Sequence, residues 1–285
     1  MKKLMITGCN GQLGRAINQV YEGDGEFECL NTDIPELDIT DLEAVRAYVK
    51  KHAPYAIINC AAYTAVDKCE TDEDNAYRIN AIGPKNLAIA AAEQGCKLIH
   101  VSTDYVFRGD ADTPYVETDE PHPVSAYGRT KLAGEQFVRE YGKDWFILRT
   151  AWLYGDGKNF VRTMLKLAET REEVGVVCDQ VGSPTSAVEL AGAIKYLVPT
   201  EQYGIYHATC EGVCSWADFA REIFRLAGLP TRVKSLTSEE YPSPTKRPAY
   251  SVLENRKFNT ETSYRFADWN DAIRTYLESE GVCRL

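Results

Sequence analysis

Tyr127-Gly128-Arg129-Thr130-Lys131 sets a phenol and an ammonium four residues apart. On a helix, positions i and i+4 share one face, so both groups can point into one site. A free tyrosine ionises near ~10 and is a slow acid at neutral pH, whereas a neighbouring cation stabilises its phenolate. Such a pair can hand a proton to a carbonyl oxygen under reduction, and the lysine can also hold a cofactor ribose. A third group has to orient that carbonyl. Ser102 and Thr103 close the apolar run Lys97-Leu98-Ile99-His100-Val101, which reads as a strand. Open α/β sheets bind their ligands at the carboxyl ends of strands.

A second constellation lies near the N-terminus. Thr7-Gly8-Cys9-Asn10-Gly11-Gln12-Leu13-Gly14 follows the apolar run Leu4-Met5-Ile6 and opens a helical pattern over residues 11–21. Glycines let the backbone turn tightly against a pyrophosphate, and a helix N-terminus offers it free amides. The spacing is Gly-x-x-Gly-x-x-Gly, not Gly-x-Gly-x-x-Gly, but the strand-loop-helix setting is the one a dinucleotide requires. Asp33 ends the second apolar run, 19 residues after Gly14. A carboxylate there would take the adenosine ribose hydroxyls and repel a 2′-phosphate, favouring NAD over NADP; the alternative is an exposed loop aspartate. Asp38 is a further candidate, either at the cofactor or as the cap of the following helix.

These groups need a frame. Apolar runs at residues 27–32, 56–59, 97–101 and 145–148 alternate with helical patterns at 41–51, 70–94 and 127–141. Strands alternating with helices of this length imply a parallel sheet covered on both faces. The fold class is therefore α/β, a Rossmann-like doubly wound sheet. Beyond residue 150 the rhythm loosens. Residues 174–177 and 204–208 read as short strands, and 215–227 as an amphipathic helix with Ser215 and Asp218 as its N-cap pair. Residues 241–248 carry three prolines and read as extended or loop-like. The expected division is a dinucleotide-binding domain over 1–150 and a smaller, interleaved substrate lobe over 151–285, some of whose segments return to the sheet.

A chain of 285 residues with 44% hydrophobic and 26% charged residues can bury a core without disulfides. Its net charge of −10 argues against nucleic acid or an anionic membrane as partner. The apolar start stops at Ile6, so neither a signal peptide nor a membrane span is expected, and the reading is a cytoplasmic protein. Nine cysteines form no Cys-x-x-Cys, and Cys210 and Cys214 have no partner histidine nearby. They read as reduced thiols, not a metal site. His52, His100, His122 and His207 also lack metal-like spacing.

The glycine loop, the Ser/Thr after the fourth strand and Tyr-x-x-x-Lys together resemble the extended short-chain dehydrogenase/reductases. Finer motifs resemble one family, the dTDP-4-dehydrorhamnose reductases: Asn59-Cys60-Ala61-Ala62-Tyr63-Thr64-Ala65-Val66-Asp67, Ser102-Thr103-Asp104-Tyr105-Val106-Phe107, Tyr127 to Glu135, Arg149 to Gly155, Asp179 to Thr185, and Arg247-Pro248. The resemblance covers nearly the whole chain. It implies NADPH or NADH as cofactor and a small-molecule nucleotide sugar as substrate, in a monomer or homodimer.

By the same resemblance, the loop containing Gly8 and Asn10 would bind the cofactor, with Gly11, Gln12 and Leu13 at its pyrophosphate and Asp33 at the ribose. Asp38-Ile39 and Ala62-Tyr63-Thr64 would line its adenine and nicotinamide ends. Thr103 would hold the keto oxygen, Tyr127 donate the proton and Lys131 assist. Asp104, Trp152, Gln180 and Arg247 would meet the sugar nucleotide, Trp152 being otherwise an ordinary core residue. Asn80 either braces the active-site helix or is simply a polar helix residue. Some relatives dimerise around a magnesium ion held by glutamates, one just after the glycine loop. Arg15-Ala16 stands there, so no metal is expected. Two other functions remain open at this level: another nucleotide-4-ketosugar reductase or epimerase, and a dinucleotide-binding regulatory subunit like the β subunit of methionine adenosyltransferase.

Overall fold

The computed structural model describes residues 1–284. Five strands of one sheet come from the first half of the chain: β1 (Lys2–Thr7), β2 (Phe27–Thr32), β3 (Ala56–Asn59), β4 (Lys97–Thr103) and β5 (Trp145–Thr150). A sixth, Gly204–His207, returns from the second half to pair with β5. All pairings are parallel, and the order is Gly204–His207, β5, β4, β3, β1, β2. Connections run outward in opposite directions from β1 and β3. That switch opens a crevice at the carboxyl ends of these strands, where ligands of such sheets bind.

Alternation along the strands feeds two cores. Leu4, Ile6, Ile58 and Ile99 face α1 (Gln12–Val20) and the helix Ala187–Leu197, through Leu13, Ile17, Leu190 and Ile194. Met5, Ile57, Leu98 and Ile147 face the opposite layer, packed with Val45 and Val49 of α2 (Leu42–His52) and Val138. A third cluster joins second-half elements: Val161, Met164, Val174, Val176, Phe219, Ile223, Ile273 and Leu277.

The helix expected over 70–94 is not a single regular one. Preceded by α3 (Val66–Cys69), it comprises α4 (Glu73–Tyr77), a π turn at Arg78–Ile82, and α5 (Gly83–Gln94). Pro84 sits in the first turn of α5. Proline lacks an N–H and its ring crowds the carbonyl four residues back, here that of Asn80, and a wider turn relieves the clash. The fourth long helix of the half is α6 (Ala126–Tyr141), capped by Ser125, which accepts from Gly128 N.

In the second half, Glu173–Val177 forms as expected but pairs in parallel with Arg232–Leu236. The helix Trp216–Leu226 opens on a full capping box between Ser215 and Asp218. The helices Phe160–Ala168, Ala187–Leu197 and Trp269–Ser279 were not anticipated, although the first and last are amphipathic at helical period. Ala187–Leu197 is apolar on most sides because it is wedged against α1, which erases the amphipathic signal.

Candidate active site

The glycine loop is shaped by what its residues lack. Gly8 has φ +64°, and a Cβ there would lie 2.7 Å from the Ala61 nitrogen. A Cβ on Gly14 would lie 2.5 Å from Cys9 Cα. Gly11 N donates to Gly8 O (3.0 Å), closing the turn, and no side chain caps the start of α1. Free amides at the start of α1, beside a loop whose glycines let backbone approach backbone, suit a dinucleotide pyrophosphate. Asp33 accepts from Asn10 N (3.2 Å) and Ile34 N (2.9 Å), so its carboxylate borders the loop. Gln12 accepts from Asn159 Nδ2 (3.1 Å), tying the loop to the second half. The Leu13 side chain is buried in the core, which leaves only its backbone facing the loop.

Asp38 does not cap α2. It accepts from Thr40 N (2.8 Å), and Asp41 caps the helix by accepting from Ala44 N. The intervening turn places the cap three residues further on. Ile39 is buried under Gly83 and accepts from Asn86 Nδ2 (3.0 Å). Ala62 and Tyr63 are half-buried in the loop after β3, and Thr64 is exposed. Asn80 takes the bracing reading: it accepts from Tyr63 N (2.8 Å) and donates to Tyr63 O and to Thr130 of α6 (both 3.1 Å).

Thr103, Asp104, Tyr127 and Lys131 meet at the carboxyl end of β4. Thr103 Oγ1 donates to Asp104 Oδ1 (2.9 Å) and accepts from Tyr105 N (3.2 Å). The Tyr127 ring packs edge-on against Tyr105, and Gly128 leaves room for the Tyr105 carbonyl. Burial pushes the Tyr127 phenol up, an effect eased by the Thr103 hydroxyl beside it. The phenol is therefore held protonated, but as a weaker acid than free tyrosine, and Lys131 is not among the main groups that offset this, contrary to the expectation from their spacing. Lys131 Nζ donates to Val101 O (2.6 Å) rather than to the phenol. Burial lowers this lysine to about 8, opposed by Glu135. Burial likewise raises Asp104 to about 7, opposed first by Thr103. Its Oδ2 is buried with only the Ser251 hydroxyl close to the carboxyl, which leaves acceptor capacity for a ligand hydroxyl.

Trp152 is held at φ +50°, a backbone region unusual for a bulky residue. Its ring stacks on Trp216 with centroids 3.6 Å apart, and Phe160 packs against Trp216 in turn. A Cβ on Gly182 would meet both Trp152 and Ser251. Ser251 also lies near the Asp104 carboxyl, so this wall runs continuously to the Thr103 cluster. Arg247 reaches Asp67 (2.7 Å) and Tyr105 Oη (3.3 Å) and thus joins the proline-rich segment to the site. Gln180 instead donates to Ser238 (3.0 Å). Sequence reasoning missed Trp216, Ser251 and Asp67, which no local spacing marks. It also missed Glu135, whose place four residues after Lys131 was a usable signal. His100 and His207 are buried, and burial lowers both. No cluster of three or more metal-ligating side chains occurs among the described residues, and no helix is long and apolar enough to cross a membrane.

A model of the family described as the RmlD substrate binding domain matches residues 1–281. The spore coat polysaccharide biosynthesis protein SpsK of Bacillus subtilis is 43% identical over 98% of this chain and 98% of its own. A dTDP-4-dehydrorhamnose reductase of Clostridium acetobutylicum is 50% identical, with a TM-score of 0.96 over 98% of this chain and 99% of that one. The dTDP-4-dehydrorhamnose reductase of Bacillus anthracis, solved with NADP, is 41% identical, with a TM-score of 0.95 over 98% and 100% of the two chains.

Proposed function

Because the chain belongs to the RmlD substrate binding domain family, we propose that it is a dTDP-4-dehydrorhamnose reductase, converting dTDP-4-dehydro-β-L-rhamnose to dTDP-L-rhamnose. NADPH or NADH supplies the hydride when bound. Residues 1–150 hold the dinucleotide: the loop of Gly8, Asn10, Gly11, Gln12 and the Leu13 backbone takes its pyrophosphate, and Asp33 its ribose. Asp38, Ile39, Ala62, Tyr63 and Thr64 line its two ends. Residues 151–285 contribute most of the sugar-nucleotide contacts, through Trp152, Gln180 and Arg247, with Asp104 binding a sugar hydroxyl.

On substrate binding the Thr103 hydroxyl turns its single proton from Asp104 to the C4 oxygen and fixes its direction. Tyr127 gives its proton to that oxygen, which becomes the product hydroxyl. Lys131, charged below about 8, stabilises the phenolate left behind. A half-buried, protonated tyrosine beside the Thr103 hydroxyl carries this reading. Tyr127→Phe removes the transferable proton and little else. In an assay of NADH or NADPH oxidation with dTDP-4-dehydro-L-rhamnose, kcat should fall by about 10²–10⁴-fold while dinucleotide binding persists. Near-normal turnover would refute the role.

A further inference from the structure

One turn beyond Lys131 on α6, a buried carboxylate occupies ground where the fold alone would accept an apolar side chain. Glu135 accepts from Arg149 Nε (3.0 Å) and Nη2 (2.7 Å), and each side chain is only 2% exposed. The Ser102 hydroxyl donates to the same carboxylate. Arg149 lies over the Phe107 ring, 5.0 Å from its centroid. A buried ion pair is costly to desolvate, and apolar replacements of similar volume often serve stability as well. The position of the pair points to a further role. Ser102 precedes Thr103 on β4, Glu135 follows Lys131 by four residues, and Arg149 sits on β5 opposite Ser102.

We propose that Glu135, clamped by Ser102 and Arg149, is a positioning residue for the reduction, supplying the countercharge that keeps Lys131, one turn before it on α6, in its ammonium form. The inference rests on the reductase reading for its kinetic consequence, though not for the charge interaction itself. The other ionisable groups around Lys131 do not supply this charge. Tyr127 on the same helix is held protonated by burial. Burial pushes the Cys60 thiol, after β3, well up and keeps it neutral. His100, on β4, is neutral through burial. Arg149, from β5, is cationic and stands behind Glu135.

Lysine labelled with 13C at Cε reports the titration of Lys131 without substrate, its resonance assigned by its loss in Lys131→Arg. In Glu135→Gln the midpoint should drop by about one pH unit from its position near 8, and Glu135→Asp should restore it. In the reductase assay at pH 8, kcat should then fall about fivefold, with KM for the sugar nucleotide unchanged and a smaller loss at pH 6. Glu135→Gln leaves Arg149 unpaired, so Glu135→Leu with Arg149→Met removes both charges and remains informative if the single variant does not fold. A Lys131 midpoint unmoved in the folded single or double variant overturns the proposal. So does a kcat loss equal at every pH. If the unmodified protein does not reduce the ketosugar, the reductase reading fails, and the NMR titration still decides the role of Glu135.

Discussion

Asp104 and His207 pull the dependence of stability on pH in opposite directions. Burial raises Asp104 from its ordinary 3.8 to about 7, so the folded state keeps a proton that the unfolded chain releases. Its contribution is full below 3.8 and declines as pH rises toward 7. Burial lowers His207 from 6.5 to about 3, so its contribution is full above 6.5 and is lost as pH falls toward 3. In Asp104→Asn the declining part disappears. Urea unfolding at pH 4, 5.5 and 7 should then show stability climbing more steeply with pH than in the unmodified protein. Equal slopes would mean that Asp104 ionises normally in the folded state. At this scale the sequence was informative wherever spacing alone implies proximity. Tyr127 and Lys131 are separated by one helical turn, so their meeting needed only a helix. That Asp104 is buried beside Ser251, 147 positions away, is decided by packing.

Helix α6 carries Tyr127 and Lys131, and its placement depends on a close approach. A Cβ on Gly134 would collide with the Asn80 carbonyl in the π turn. Gly134→Ala should gain up to about 1 kcal/mol of helix propensity. Overpacking against a backbone group costs about 1–3 kcal/mol, and the net effect should be destabilising. Urea unfolding with an unchanged m-value would measure it; a more stable variant would show that α6 can shift freely. Strands β1, β3, β4 and β5 were legible because they are largely buried on both faces and read as nearly continuous apolar runs, whereas the edge strand β2 is half exposed. The break within 70–94 was not legible. The alanine-rich pattern continues through it, and the π turn answers to Pro84 and to the bonds Asn80 makes across to Tyr63 and Thr130. The short paired strands after residue 150 were also hidden, because two-residue strands such as Val181–Gly182 have no period to detect.

For the molecule as a whole, the glycine cradle and the cleft couple ligand binding to stability. A ligand bound only by the folded state adds about 2.7 kcal/mol at a hundred times its Kd. For a chain this long that corresponds to a rise in Tm of roughly 4–5 °C. Either reduced dinucleotide should produce such a rise. The Asp33 carboxylate at the loop should make NADH act at lower concentration than NADPH, and Asp33→Ala should narrow the difference. Thermal unfolding across a titration of each nucleotide tests this; no shift with either would remove the dinucleotide site, and a preference for NADPH would remove the role given to Asp33. The acidic balance of the chain is no obstacle to an anionic ligand, because backbone amides of the loop and α1 supply the local attraction.

The sequence by itself determined the parallel α/β sheet, the glycine loop between strand and helix, the one-turn spacing of Tyr127 and Lys131, and the family. These signals are local: periodicities of two and 3.6, glycine where backbone must approach backbone, and groups one turn apart. Tertiary structure alone decided which distant side chains share the site. It stacked Trp152 flat on Trp216, turned Arg247 to Asp67 and Tyr105, and joined α6 to β5 through a buried charged pair. It also decided which groups leave water, and with that the protonation of Tyr127, Lys131 and Asp104. Desolvation belongs to the packed molecule, and no spacing along the chain encodes it.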